Sequence, residues 1–184
     1  MGYKKLISPE FRVTVGDYEV TDGIEVECFS SKESHMDWCR VELSPQLQGV
    51  LKFKDMDEAS VELGYEDDFD SLIDGYVRCG DTDYWKEIMI KDDMMKLDRV
   101  TIKASFVDCE PQDVIRYVLA CAGIEDYVLS DEHYGKKDLF VIDRKSGINT
   151  IAEVNSSWGI KNPFFFQKKV SIRWKNWMQP CPLS

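Results

Sequence analysis

The chain has 184 residues, 43% of them apolar, and a formal net charge of −11. That is enough apolar material for a real core, so a disordered chain is excluded, and the length suits one domain or two small ones sharing an interface. No run approaches the roughly 20 apolar residues that span a bilayer, and the six cysteines include no CxxC pair, which argues against zinc knuckles and dithiol redox motifs.

The N-terminal MGYKKLISPEF carries a basic pair but no apolar stretch, so no signal peptide is expected there. Leu6 stands where a myristoylation motif needs Ser or Thr. Phe11–Val15 alternates apolar and polar residues, as a strand does, and Gly16-Asp17 turns it toward a return over Tyr18–Val20. After a second turn at Thr21-Asp22-Gly23, Ile24, Val26 and Cys28 alternate with Glu25 and Glu27, a half-buried strand with an acidic outer face. Asp37–Leu43 alternates again. Leu47–Phe53 reads as a loop entering a strand, and Asp55–Glu58 as an acidic turn. Val61–Tyr65 is a strand, followed by an acidic turn at Asp67, Asp68 and Asp70 and a strand over Ser71–Cys79 in which Gly75 marks a bulge or tight bend. Tyr84–Ile90 closes this β-rich half.

Near Asp92 the pattern changes. Asp92–Leu97 reads as a short helical turn or a break, and Val100–Phe106 as a strand. Val114, Ile115, Val118, Leu119 and Ala122 then recur at spacings of three and four, so they form one face of a helix. Pro111 suits its first turn, Gly123 its left-handed end, and Asp108 or Glu110 its N-cap, with Asp108 the better residue type. An acidic loop over Asp126–Tyr134 leads to the strand Leu139–Ile142. Thr150 and Glu153 have capping-box spacing for a second short helix that ends at Trp158-Gly159. Asn162-Pro163 turns the chain into a final strand, Phe164–Trp174. The expected fold is therefore α+β: an N-terminal antiparallel β-barrel over residues 1–95 packed against a small α+β unit over 96–184.

The charge is divided unevenly. Residues 1–110 hold 26 Asp and Glu against 13 Lys and Arg, a balance of −13, while residues 111–184 hold 8 against 10, a balance of +2. An acidic first half argues against sequence-specific nucleic-acid binding, which needs a basic footprint. Catalytic signatures are absent: there is no G-x-S-x-G, no Gly-rich phosphate loop and no HExxH. His35 and His133 lie in polar segments and read as surface residues. The acids Asp67, Asp68, Asp70 and Asp74 lack the glycine and glutamate of a calcium loop, and read as a solvated turn. The cysteines sit among apolar residues, as free thiols folded in a reducing compartment do. No catalytic, cofactor or metal site is expected. Phe164, Phe165, Phe166, Val170, Ile172 and Trp174, with Trp177 close behind, exceed what one strand face buries, so part of that surface is expected in a subunit contact.

The run DWCRVEL followed by VELGYEDDFDSLIDGYV resembles the first domain of phage tail baseplate hub proteins of the late control gene D family. It shares a sheet segment ending in Leu-Gly-Tyr, a short turn, and a strand with a Gly-x-Val pair, here Gly75 and Val77. The stretch IMIKDDMMKLDRVTIKASFVDCEPQDVIRYVLACAGI is similar to the family's next segment, and NTIAEVNSSWGIKNPFFF to the short helix, aromatic-glycine turn and aromatic strand after it. The resemblance covers residues 10–175. It implies a non-enzymatic structural protein of the virion tail, assembled in the bacterial cytoplasm. Such a hub is a homotrimer that links tail tube to central spike, contacts other tail or baseplate proteins, and uses no cofactor, membrane or specific nucleic acid. It also implies a chain shortened after KNWMQPCPLS relative to typical hubs. The alternative from the residues alone is a small-ligand or peptide-binding module with the acidic loops as its site, and a hydrolase using acidic residues ranks last.

Overall fold

The computed structural model describes residues 9–31, 36–65, 68–79, 86–161, 163–168 and 171–176, the last two segments in backbone only. Contacts divide the chain into two compact units, residues 1–92 and 93–184. Together they are a mixed α+β fold in which antiparallel strands predominate.

Among the described residues the first unit is a seven-stranded antiparallel sheet. Its strands are β1 (Glu10–Val15), β2 (Tyr18–Val20), β3 (Ile24–Phe29), β4 (Trp38–Leu43), β5 (Glu58–Tyr65), β6 (Asp68–Arg78) and β7 (Glu87–Lys91), in the order β2-β1-β5-β6-β7-β4-β3. Period-two alternation sends one set of side chains inward from every strand. Val13 and Val15, Val41 and Leu43, Ala59 and Val61, Ile73 and Val77, and Ile88 and Ile90 form one buried cluster, which Leu51 joins from the β4–β5 connection. No helix of this unit covers that face among the described residues. A sheet without a second layer buries one face only by coiling about itself, as its natural twist allows. Each fully buried Val or Ile there contributes roughly 1.5–3 kcal/mol by leaving water. The expected barrel is not closed, however: among the described residues the ladder ends at β2 on one side and β3 on the other.

β6 holds the sheet together by changing partners. Its first part pairs with β5 and its end with β7, and Tyr76 faces Glu58 on one side and Lys91 on the other. At this crossing a Cβ on Gly75 would stand 1.9 Å from the Lys91 carbonyl oxygen, so only glycine lets the backbones approach. The bulge itself falls at Leu72, where Val61 faces Ile73 but Glu62 faces Ser71.

The second unit is built on a two-stranded ladder, β8 (Thr101–Cys109) with β10 (Lys137–Ser146), carrying the helices α1 (Met94–Arg99), α2 (Pro111–Cys121) and α3 (Gly147–Ser157). Ile102, Phe140 and Ile142 point from the ladder toward the helical residues Met94, Leu97, Val114, Ile115, Val118, Leu119, Ile151 and Val154, all buried. Both longer helices end in the same way. Gly123 and Gly159 take positive φ, and the next residue's N–H reaches back, Ile124 to the Leu119 carbonyl and Ile160 to that of Asn155. A third sheet joins β11 (Pro163–Lys168), β12 (Ser171–Asn176) and the two-residue β9 (Tyr127–Val128) in the order β11-β12-β9.

Several expectations change here. The final strand over Phe164–Trp174 is two antiparallel strands, β11 and β12. Between Lys168 and Ser171 the sequence carries no Gly, Pro or Asn to announce a break. The Asp126–Tyr134 loop contains β9, and Asp68, Asp70 and Asp74 lie within β6 instead of a turn. Leu47–Phe53 holds no strand; β5 begins at Glu58. Asp108 does not cap α2, because pairing of Cys109 with Lys137 carries β8 past it. Glu110 is the N-cap, and Glu110 and Asp113 cap one another's backbone N–H groups. α3 is capped by Ser146, whose Oγ accepts from Asn149 N–H, and Thr150 is buried inside the helix.

Candidate functional site

The register that buries the valines turns the other half of each strand outward. On that outer face stand Glu10, Glu19, Glu25, Glu27, Glu42, Glu58, Glu62, Asp74 and Glu87, nine acids, against Arg12, Arg40, Arg78 and Lys91. Arg40, in the middle of β4, gathers three of the carboxylates: Glu27 on β3 at 2.7 Å, Glu42 on its own strand at 3.7 Å and Glu87 on β7 at 4.0 Å. Arg12 on β1 lies 3.4 Å from Glu62 and 4.0 Å from Glu19, with its guanidinium 4.0 Å above the Phe69 ring. These pairs are partly exposed, so each is worth only a fraction of a kcal/mol. Their effect is to relieve repulsion locally while the face as a whole stays negative. Such a surface repels phosphate backbones over about a Debye length.

An open recess of about 320 Å³ lies beside this face, lined by Gly23, Ile24, Glu25, Glu42, Leu43 and Ser44. It brings together two carboxylates and the Ser44 hydroxyl but no histidine and no cation, which gives the ligand-binding alternative little to work with. The aspartates singled out in the sequence do not converge. The bulge at Leu72 puts Asp74 on the face of Phe69, while Asp68 and Asp70 alternate to the opposite one. Asp67 lies outside the described residues. Among the described residues no three His, Cys, Asp or Glu side chains converge as metal ligands, and no helix is long and apolar enough to cross a membrane. His133 is exposed, 4.0 Å from Glu110. His35, Trp177 and the aromatic side chains of β11 and β12 lie outside what is described.

The cysteines depart from the free-thiol expectation. Cys28 and Cys39 face one another across β3 and β4 and form a disulfide. The expectation failed because spacing along the chain does not reveal cross-strand opposition; the usable signal was that both lie in alternating runs flanking one connection. Cys79, Cys109 and Cys121 are free. Burial pushes the Cys79 thiol up to about 11, with Asp55 and Asp57 adding to it. Burial also raises Cys109, partly offset by a hydrogen bond from its own backbone. In the second unit the outer face of the β8–β10 ladder carries the exposed side chains Val107, Leu139 and Val141, where Val107 stands opposite Leu139.

An open acidic sheet joined to a helix-covered ladder has counterparts among solved structures. The 43 kDa tail protein of prophage MuSo2 from Shewanella oneidensis superposes with a TM-score of 0.68 at 14% identity, over 92% of this chain and 56% of that one. A tail protein from Neisseria meningitidis MC58 gives 0.62 at 14% identity, over 94% and 52%. An E. coli component of the type VI secretion system, described as similar to the T4 bacteriophage tail proteins gp27 and gp5, gives 0.54 at 9% identity, over 92% and 45%. At these identities the likeness is one of fold, and this chain spans about half the length of the structures it matches. No protein-family model and no curated protein matches the sequence.

Proposed function

We propose that the chain is a non-enzymatic structural component of a phage or prophage tail, of the baseplate-hub type that links tail tube to central spike. The single observation that carries this reading is the fold likeness to two tail proteins across more than nine-tenths of the chain, taking in both units. In this reading residues 1–95 are a tail-tube-like domain and residues 96–184 an α+β domain. The protein works as a homotrimer in contact with other tail or baseplate proteins. The acidic outer face supports the assignment physically: a surface lining a DNA conduit must repel phosphates so that the duplex slides without sticking.

The test is the mass of the chain by light scattering across salt and concentration. Like-charged first units repel at low ionic strength, so association strengthens as salt screens them. The expected species at high salt has three times the 21.3 kDa chain mass. A monomer at every salt and concentration sinks the hub assignment while leaving the fold likeness untouched.

A further inference from the structure

Strand β3 is weakly secured for its length. Among the described residues it is an edge, hydrogen-bonded to β4 alone, and four of its six residues are exposed, Cys28 and Phe29 among them. It gives the core only the half-buried Ile24 and Val26. β4 is different: Cys39, Val41 and Leu43 are buried, and β7 holds its other side. The outer-face ties between the two strands are the Arg40–Glu27 ion pair and the stack of Phe29 on Trp38, with ring centroids 5.5 Å apart. Both sit at the surface, where such contacts are weak. The strongest tie is therefore the bond from Cys28 to Cys39, which joins the loose strand to the fixed one at directly opposed positions.

We propose that the Cys28–Cys39 pair is a redox clip that sets whether the edge strand β3 is locked onto β4 or free to peel from it. The oxidant is a low-molecular-weight disulfide of the glutathione class. Cys28 is exposed and Cys39 is buried, so Cys28 is the point of entry. Its thiolate attacks one sulfur of the small disulfide, forming a mixed disulfide and releasing one small thiolate. The Cys39 thiol then gives up its proton and attacks the Cys28 sulfur, expelling the second small thiolate. Two protein thiols lose two electrons, and one small disulfide becomes two thiols. A dithiol reductant reverses both steps. When reduced, β3 opens locally and uncovers the backbone groups of β4, a free edge able to pair with another strand. When oxidised, the closed loop from Cys28 to Cys39 suppresses that opening by on the order of 100-fold.

Hydrogen exchange of the whole chain, read by mass spectrometry of peptides from β3, β4, β1 and β5, tests the clip. One sample is equilibrated with oxidised glutathione and one with dithiothreitol. The first should yield a linked Cys28–Cys39 peptide on non-reducing mapping. Reduction should speed exchange in β3 about 100-fold, with β1 and β5 unchanged within about twofold. Cys28→Ser should exchange at the reduced rate in both buffers, and the native chain alone decides the matter if that variant does not fold. The proposal is overturned if no linked peptide forms, if β3 exchanges equally in both samples, or if reduction speeds all strands alike, since the bond would then be a global staple.

Discussion

The two units solve the same burial problem in different ways. Residues 1–92 hold 22 Asp and Glu against 10 Lys and Arg, a balance of −12, and their sheet buries one face against itself. Residues 93–184 hold 12 against 13, a balance of +1, and their ladder is covered by helices. The faces left over differ accordingly. In the first unit the outward residues of every strand are free to be charged, and most of the charged ones are acidic. In the second the outward residues of the ladder include Val107, Leu139 and Val141, an apolar surface in water. One surface keeps anions and like-charged copies at a distance, while the other gains from being covered.

The largest expected effects come from emptying the two cores separately. Ile90 and Leu119 have no exposed surface, so Ile90→Ala and Leu119→Ala should each cost about 2–5 kcal/mol. Exchange protection should fall in strands of residues 9–92 for the first and in residues 93–161 for the second. Equal loss in both units from either change would show one cooperative core and end the comparison.

Next in size is thiol reactivity. The thiolate is the nucleophile, and Cys79, with its thiol at about 11, is ionised in only about one molecule per thousand at pH 8, against roughly a quarter for an ordinary thiol of pKa ~8.5. Alkylation of Cys79 should therefore run on the order of 10²-fold slower than that of glutathione, rising about tenfold per pH unit up to pH 10. Asp55→Asn should speed it by removing one of the charges that favour the neutral thiol. A Cys79 as reactive as glutathione at pH 8 would mean that burial and the acidic surroundings of the first unit do not act as described.

Two glycines sharpen the contrast in backbone packing. Gly75→Ala drives a Cβ into the Lys91 carbonyl and should cost about 3 kcal/mol or more by parting β6 from β7. Gly123→Ala meets open space and violates only a φ of +69°, for a cost of about 1–2 kcal/mol. Thermal unfolding of both variants measures the difference, and a reversed order would reject the close approach at Gly75.

The smallest effect tests the charges. Arg40→Met removes three pairs and leaves Glu27, Glu42 and Glu87 facing one another, for about 0.2–1 kcal/mol at low salt that fades near 1 M. Lys145→Met, which breaks the 2.8 Å pair with Glu153 in the less charged unit, should depend on salt more weakly. Equal salt dependence would mean that the acidic face carries no collective repulsion.

Local pattern by itself determined a good deal of this protein. Alternation in Phe11–Val15, Asp37–Leu43 and Val100–Phe106 appears as β1, β4 and β8, and Pro111, Gly123 and the three-four spacing between them appear as α2 with Pro111 in its first turn and Gly123 at its left-handed end. These features are legible because sterics and burial act over neighbouring residues. Which strands become neighbours is a different matter. The placing of β4 between β3 and β7, the crossing at Gly75, the three carboxylates around Arg40 and the opposition of Cys28 to Cys39 all depend on pairings between distant segments. The caps moved for the same reason: Cys109 pairs with Lys137 and Ser146 with Thr101, so the sheet decides where each strand stops and its helix begins. Such pairings are chosen by the burial of the whole core, a sum over distant residues that no local window contains.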